Sequence, residues 1–329
     1  MDIIQILAEE LAIRTEQVQA VINLINEGST IPFIARYRKE MTGALDDEIL
    51  RKLDDRRQYL LNLQERMNAV LKSIEEQGKL TAELTIAVNS AKTLTELEDI
   101  YRPYKQKKKT RASIAKEKGL EPLAQYIKAQ KLILPLKQEA EKYINEEKKV
   151  LTFADAIQGA KDILAEAIAD VASYRVQARI IIKNFGKIVT KEISKDEKGV
   201  FDMYADYQEP ISKIPPHRIL AINRGEAQKC LRVTFTLPDG EIIQYIVRRE
   251  IVDQSPFINE LNDIILDSYK RLIYPSVETE IRNELTEKAE EVSMVVFQEN
   301  LRQLLLVAPL KGKTILGYDP AFRTGCKLA

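Results

Sequence analysis

The 329-residue chain has two cysteines, Cys230 and Cys326, and one histidine, His217. Two thiols are too few for a disulfide framework or a zinc site, and their scarcity predicts a reducing compartment. A single histidine cannot build a usual metal site or a catalytic triad without marked partners, so His217, just after Pro215-Pro216, is read as structural. No apolar run approaches the roughly eighteen residues that a spanning helix needs. The apolar rhythm of the first fourteen residues is interrupted by Asp2, Glu9 and Glu10 and lacks a basic start, so it is not a signal peptide. The reading is cytoplasmic, without membrane contact. Net charge is missing too: 50 basic side chains face 50 acidic ones. Any attraction to phosphate must therefore come from local clustering.

What is present is helical periodicity. Ile3, Ile6, Leu7 and Leu11, then Val18, Val21, Ile22 and Ile25, recur at three- and four-residue steps, with Thr15 as a cap between them and Gly28 as a stop. A long amphipathic helix is predicted from Asp46 to Gln77, ending at Gly78, and shorter ones over about 81–90, 95–102 and 120–130. The pattern from Thr152 to about Ile193 reads as one helix. Its stripe of Ile163, Leu164, Ala167, Val171 and Ile182 is flanked by Asp162, Glu166 and Asp170 on one side and Arg175, Arg179 and Lys183 on the other. These flanks read as a solvated rim, with a phosphate track or docking face as the minority reading.

After Pro210 the rhythm changes. Leu231, Val233, Phe235 and Leu237 alternate with polar residues, Pro238-Asp239-Gly240 turns the chain, and Ile242–Val247 returns it. This is a predicted β-hairpin over 230–248. Helices over 257–273 and 276–306 follow. Thr314–Tyr318 then reads as a buried strand without a partner, so the expectation is that the chain is cut short.

The strongest electrostatic feature is residues 102–118. Arg102, Lys105, Lys107, Lys108, Lys109, Arg111, Lys116 and Lys118 stand against Glu117 alone, a local net of +7. Such density suits phosphate contacts, and Tyr101 and Tyr104 at its edge could stack on bases or pack on lysine stems. An acidic protein surface and a plain solvated loop are the competing readings. Arg102, Lys105, Lys107, Lys108, Lys109 and Arg111 are the candidate nucleic-acid-binding residues. No catalytic residue, metal ligand or cofactor is assigned. A second basic segment, Phe33–Lys39, is read structurally, with Arg36 paired to Asp46, Asp47 or Glu48. Lys311-Gly312-Lys313-Thr314 lacks the upstream glycine spacing of a phosphate loop.

Longer strings carry a resemblance. Thr30-Ile31-Pro32-Phe33-Ile34-Ala35-Arg36-Tyr37-Arg38-Lys39-Glu40-Met41-Thr42-Gly43, then Leu97–Lys105 with Thr110-Arg111-Ala112, Gly159–Glu166, His217-Arg218 with Arg224-Gly225-Glu226, Asn300–Leu306 and Gly317–Lys327 resemble the bacterial Tex family of transcription accessory proteins. The resemblance implies a mainly α fold: a helical N-terminal region over 1–200 with a helix-turn-helix-like module near 60–130, a helical region over 201–310 holding the hairpin, and, at 311–329, the first strand of a YqgF/RuvC-like, RNase H-like domain. It also implies downstream helix-hairpin-helix motifs and an OB-fold RNA-binding domain. Asp319 sits where RNase H-like nucleases place their first metal-binding aspartate, but one carboxylate cannot hold a metal pair. The expected function is a non-catalytic scaffold of an RNA-binding transcription accessory factor. Its partners would be RNA or DNA, bound weakly without the downstream domains, and RNA polymerase or ribosome-associated machinery. An RNase H/RuvC-type metal-dependent nuclease in the full-length protein and a docking module for the transcription machinery are the alternatives.

Overall fold

The computed structural model describes residues 2–105, 109–131, 133–194, 199–237, 239–308, 310–320 and 325–329. The chain divides into two compact units, one of Met1–Gln177 with Ile242–Ile273 and one of Ala178–Glu241 with Tyr274–Ala329.

In chain order the first unit begins with α1 (Ile3–Leu11), α2 (Thr15–Asn26), α3 (Ile31–Tyr37), α4 (Lys39–Thr42) and α5 (Asp47–Glu76). Arg14, not Thr15, caps α2, donating its N–H to Gln17 Oε1 at 3.2 Å. The long helix forms as its pattern predicts: Asp46 accepts from the Ile49 N–H at 2.8 Å, and the chain leaves α5 through Gly78 at φ +67°, a conformation that costs glycine nothing. Thirty residues at 1.5 Å per residue make α5 about 45 Å long. Its buried positions Leu50, Leu53, Leu60, Leu63, Met67, Val70 and Ile74 form one continuous stripe. The first half of that stripe packs with Leu7, Val18, Val21, Leu24 and Ile34, and the second with Val88, Leu97 and Tyr101. Those last three come from α6 (Ala82–Ser90) and α7 (Leu94–Tyr101).

A 3-10 turn (Arg102–Tyr104), α8 (Arg111–Glu117), α9 (Glu121–Ala129), α10 (Leu136–Glu141) and α11 (Phe153–Ala169) complete the run. Helix α11 packs on α8, α9 and α10. It ends at Ala169, and α12 (Ala172–Phe185) starts afresh, so the single helix predicted over 152–193 is corrected to two helices and a strand. Neither proline nor glycine marks the break at Asp170-Val171. It is set by what the two pieces reach: α11 buries Ala156, Ala160, Ile163 and Leu164, while α12 turns Tyr174 toward Glu250 and Arg175 toward Asp99.

The second unit holds β1 (Lys187–Glu192), a 3-10 turn (Asp202–Tyr204), β2 (Asp206–Pro210), α13 (Pro216–Ala227) and β3 (Leu231–Thr236). These strands form an antiparallel sheet in the order β2-β1-β3, with Lys187 opposite both Pro210 and Thr236. On β3, Leu231, Val233 and Phe235 point inward, as their alternation predicts. Helix α13 lies close to this strand; a Cβ on Gly225 would meet Leu231 Cδ1 at 2.6 Å.

The return strand of the predicted hairpin is not a strand. Residues 239–250 form α14 (Asp239–Glu250), and β3 pairs with β1 instead. Ile242 and Ile246, four residues apart and both fully buried, fall on one helical face, whereas a strand would leave both on the same face as Gln244. Next come α15 (Ile258–Asp267), a π-helical turn (Ser268–Ile273) and α16 (Tyr274–Leu305). The buried strand expected over Thr314–Tyr318 does not form: Ile315, Leu316 and Tyr318 are exposed, and only Tyr318 of that stretch joins a strand, in the short antiparallel pair of β4 (Tyr318–Asp319) and β5 (Lys327–Leu328). Among the described residues no helix is long and apolar enough to cross a membrane.

Candidate nucleic-acid interface

The basic segment hangs between α7 and α8. Thr93 starts α7 by accepting from the Glu96 N–H at 3.2 Å, and Thr110 starts α8 through a reciprocal box with Ser113, at 3.0 and 2.8 Å. Pro103 cannot continue α7 and opens the 3-10 turn. Two capped helices thus hold both ends of the loop.

Within this frame the candidate residues separate. Arg102 is half-buried, its Nε 3.4 Å from Asp170 Oδ1. Lys105 is exposed and lies 3.7 Å from Glu98, which also receives Arg66 at 2.5 Å. These two cations already have carboxylate partners within the fold. Lys107 and Lys108 lie outside the described residues. Lys109 and Arg111 are exposed at the start of α8, and among the described residues neither forms an ion pair. Lys116 is exposed as well, while Lys118 donates to the Lys149 carbonyl at 3.0 Å.

Of the two tyrosines, Tyr101 belongs to the core and Tyr104 is half-buried against it. Tyr101 is buried, its hydroxyl 2.9 Å from Ser73 Oγ and its ring covered by the Arg66 guanidinium at 5.5 Å. The Tyr104 carbonyl accepts from Gln77 Nε2 at 2.8 Å, tying the loop base to α5. The side chains behind the positive patch belong to the core, a fact that spacing alone could not show.

Two further expectations are corrected. The charged flanks of residues 162–183 are not a solvated rim. Asp162 and Arg175 are buried; Arg175 Nε donates to Asp99 Oδ1 at 2.9 Å, and Arg271 approaches Asp162 at 3.6 Å. In the second unit, Arg179 pairs with Glu280 and Lys183 with Glu284, both at 2.5 Å. Burial works against the Glu284 carboxylate, but hydrogen bonds from Lys183 and Lys288 outweigh it and hold its pKa below the ordinary value. Nor does Arg36 pair as expected. It is exposed, Asp46 caps α5, Asp47 holds Arg51 at 2.8 Å, and Glu48 holds Lys52 at 2.6 Å.

Asp319 is exposed on β4, opposite Lys327. Among the described residues no group of three His, Cys, Asp or Glu side chains could hold a metal ion. His217 is exposed on the first turn of α13.

Comparison with known proteins places these features in a lineage. Residues 1–75 match the Tex-like protein N-terminal domain and residues 134–297 the Tex central region. The chain is 48% identical over 333 residues to the uncharacterized protein YdcI of Bacillus subtilis, covering 99% of this chain and 46% of that one. It is 40% identical over 337 residues to the transcriptional accessory protein Tex of Neisseria gonorrhoeae, covering 100% and 44%. With the human S1 RNA-binding domain-containing protein 1 it shares 35% identity over 345 residues, covering 100% and 34%. The chain spans less than half the length of each of these relatives.

Proposed function

The chain belongs to the Tex family, and on that premise we propose that it is the non-catalytic helical scaffold of a nucleic-acid-binding transcription accessory factor, with the loop between α7 and α8 as an auxiliary phosphate contact. The observation that carries the reading is the pair of exposed cations, Lys109 and Arg111, that have no carboxylate partner among the described residues and stand at the rim of a loop rich in lysine. Arg102 and Lys105 have a different role: they fasten the loop base to Asp170 and Glu98. The names of two relatives, one a transcriptional accessory protein and one an S1 RNA-binding domain protein, fit a nucleic-acid-related role. RNA polymerase and ribosome-associated machinery remain the proposed protein partners.

Electrostatic binding of this kind neutralises phosphates without reading bases, so it is weak, indifferent to sequence and steeply salt-dependent. Replacing Lys107, Lys108, Lys109 and Arg111 together with alanine is expected to weaken binding. The slope of log affinity against log salt should flatten by roughly 0.7 for each phosphate no longer neutralised on single strands and about 0.9 on duplex. A titration at two salt concentrations reads both. An unchanged affinity and slope would remove the loop from the interface.

The nuclease alternative needs several convergent carboxylates. Asp319, exposed and facing Lys327 across a two-residue ladder, is not in such company among the described residues. No magnesium- or manganese-dependent cleavage of RNA or DNA is expected from this chain. Cleavage that disappears in Asp319→Asn would reverse the assignment.

A further inference from the structure

Away from the basic loop, we infer that Phe33, Tyr37 and Met41, with Arg36, Arg38 and Lys39, form a binding site for single-stranded nucleic acid on the outer face of α3 and α4. The site is separate from the α7–α8 loop and does not depend on it.

The local fold forces these side chains outward. Ile34 is fully buried, and Ile31 and Ala35 pack beside it on the first core cluster, so the face opposite Ile34 must meet water. Thr42 is likewise buried and anchors α4 through bonds from its hydroxyl to the Arg38 and Lys39 carbonyls, both at 3.3 Å. Gln17 of α2 clamps the same corner, donating to the Thr42 carbonyl at 2.9 Å and the Gly43 carbonyl at 3.3 Å. The anchors are interior, and residues 36–41 between them are exposed.

What faces out is unusual for a solvated surface. Phe33 is 38% exposed, Tyr37 64% and Met41 57%. Phe33 and Tyr37 lie four residues apart on α3 and Met41 on α4 lines the same concavity as Tyr37, and clustered exposed apolar groups mark interaction sites more than single ones do. The two rings lie 5.2 Å apart at 46°, and the Arg38 guanidinium sits 5.0 Å from the Phe33 centroid. Beside them opens a concavity of about 600 Å³ lined by Arg36, Tyr37, Arg38, Lys39 and Met41 and also by the carboxylates of Glu27 and Glu40, so that three cations face two anions. Among the described residues, Arg36, Arg38 and Lys39 form no ion pair, unlike Arg102 and Lys105 of the basic loop.

Chemistry narrows the ligand. An acidic peptide would satisfy the three cations but leave the rings in water. An apolar helix would cover the rings but bury three cations without counter-charges, which is costly. A single strand offers both surfaces at once, unpaired bases to stack on the rings and phosphates for the cations. A duplex keeps its base faces inside, so it can use only the charges.

The chain contains no tryptophan, so Tyr37→Trp introduces a sole indole reporter in the full chain. Saturable quenching by oligo(U) or oligo(dT), but not by a mixed-sequence duplex or polyglutamate, is expected. Tighter binding of oligo(U) would assign RNA as the preferred strand, and equal binding a generic single strand; either supports the site. With labelled oligonucleotide, Tyr37→Ala should bind roughly 5- to 150-fold more weakly, the range that loss of one stacked base gives. Tyr37→Phe, which keeps the ring, should bind like the parent. Arg36→Gln should reduce the salt slope by about 0.7. Tyr37 is largely exposed, so circular dichroism should find the fold intact in every variant. An unaltered affinity in Tyr37→Ala, or polyglutamate displacing the oligonucleotide, would overturn the site. The quadruple loop variant reports separately: if it binds normally while Tyr37→Ala does not, the loop reading fails and this one stands.

Discussion

Asp99→Ala is expected to destabilise the chain by about 3–5 kcal/mol, the cost of stranding a buried charge. Asp99 on α7 is 5% exposed and Arg175 on α12 is 3% exposed, and Nε and Oδ1 lie 2.9 Å apart across 76 positions of sequence. Truncating the carboxylate removes one partner of a buried ion pair and takes the Asp99 charge away from an interred guanidinium. Urea unfolding reads the effect as a lower midpoint at unchanged slope. The double variant Asp99→Leu with Arg175→Met separates stranding from simple loss of the pair. Two apolar side chains of similar volume can replace a buried ion pair at little cost, so the double variant should be more stable than Asp99→Ala alone. A loss under about 1 kcal/mol in Asp99→Ala would mean that water reaches the guanidinium and that the pair is not buried in solution. The neighbouring Tyr174 depends on the same packing: burial, with its bond to Glu250 at 2.6 Å, pushes its hydroxyl far above the usual tyrosine range.

Phe257→Ala should cost about 3–5 kcal/mol, as large-to-small changes in well-packed cores do. Phe257 is 2% exposed and its ring centroid lies 5.5 Å from that of Tyr126 on α9. This ring pair joins Ile242–Ile273 to the earlier part of the same unit. Its surroundings are closely bonded. The Tyr126 hydroxyl donates to the Leu134 carbonyl at 2.6 Å and accepts from the Leu134 N–H at 2.9 Å, while Gln130 donates to the Glu250 carbonyl and accepts from the Val252 N–H. A frame bonded in this way resists collapse into the space a missing ring leaves, so the cavity adds to the lost burial. Ile133→Ala, in the same region but 77% exposed, is the control and should stay within about 0.5 kcal/mol. Equal losses in the two variants, by thermal or urea unfolding, would show that Phe257 does not anchor this segment.

Several elements follow from the amino-acid order alone because local physics decides them. The α5 stripe of Leu50 to Ile74 repeats with helical period, Asp46 caps it and Gly78 releases it, so nothing distant is needed. The alternation of Leu231, Val233 and Phe235 names a strand for the same reason. The strings shared with the Tex family were equally legible, and the matches over 1–75 and 134–297 agree with them. Other features depend on partners far along the chain. Ile242–Val247 is compatible with strand or helix by periodicity, and only two buried positions on one side, Ile242 and Ile246, decide for the helix. The break at Asp170-Val171 carries no local mark; α12 is redirected so that Tyr174 and Arg175 reach Glu250 and Asp99. Charge density drew attention to residues 102–111, but whether a cation is free depends on the carboxylates beside it. Asp170 and Glu98 take Arg102 and Lys105, while Arg36, Arg38 and Lys39 are left to solvent. Helix α5 with its cap and stop, strand β3 and the family strings were therefore determined by the sequence itself, through interactions within a turn or two. Burial, ion pairing and exposure of each functional side chain were decided by tertiary structure, because they depend on which distant groups the packed helices bring within a few ångströms.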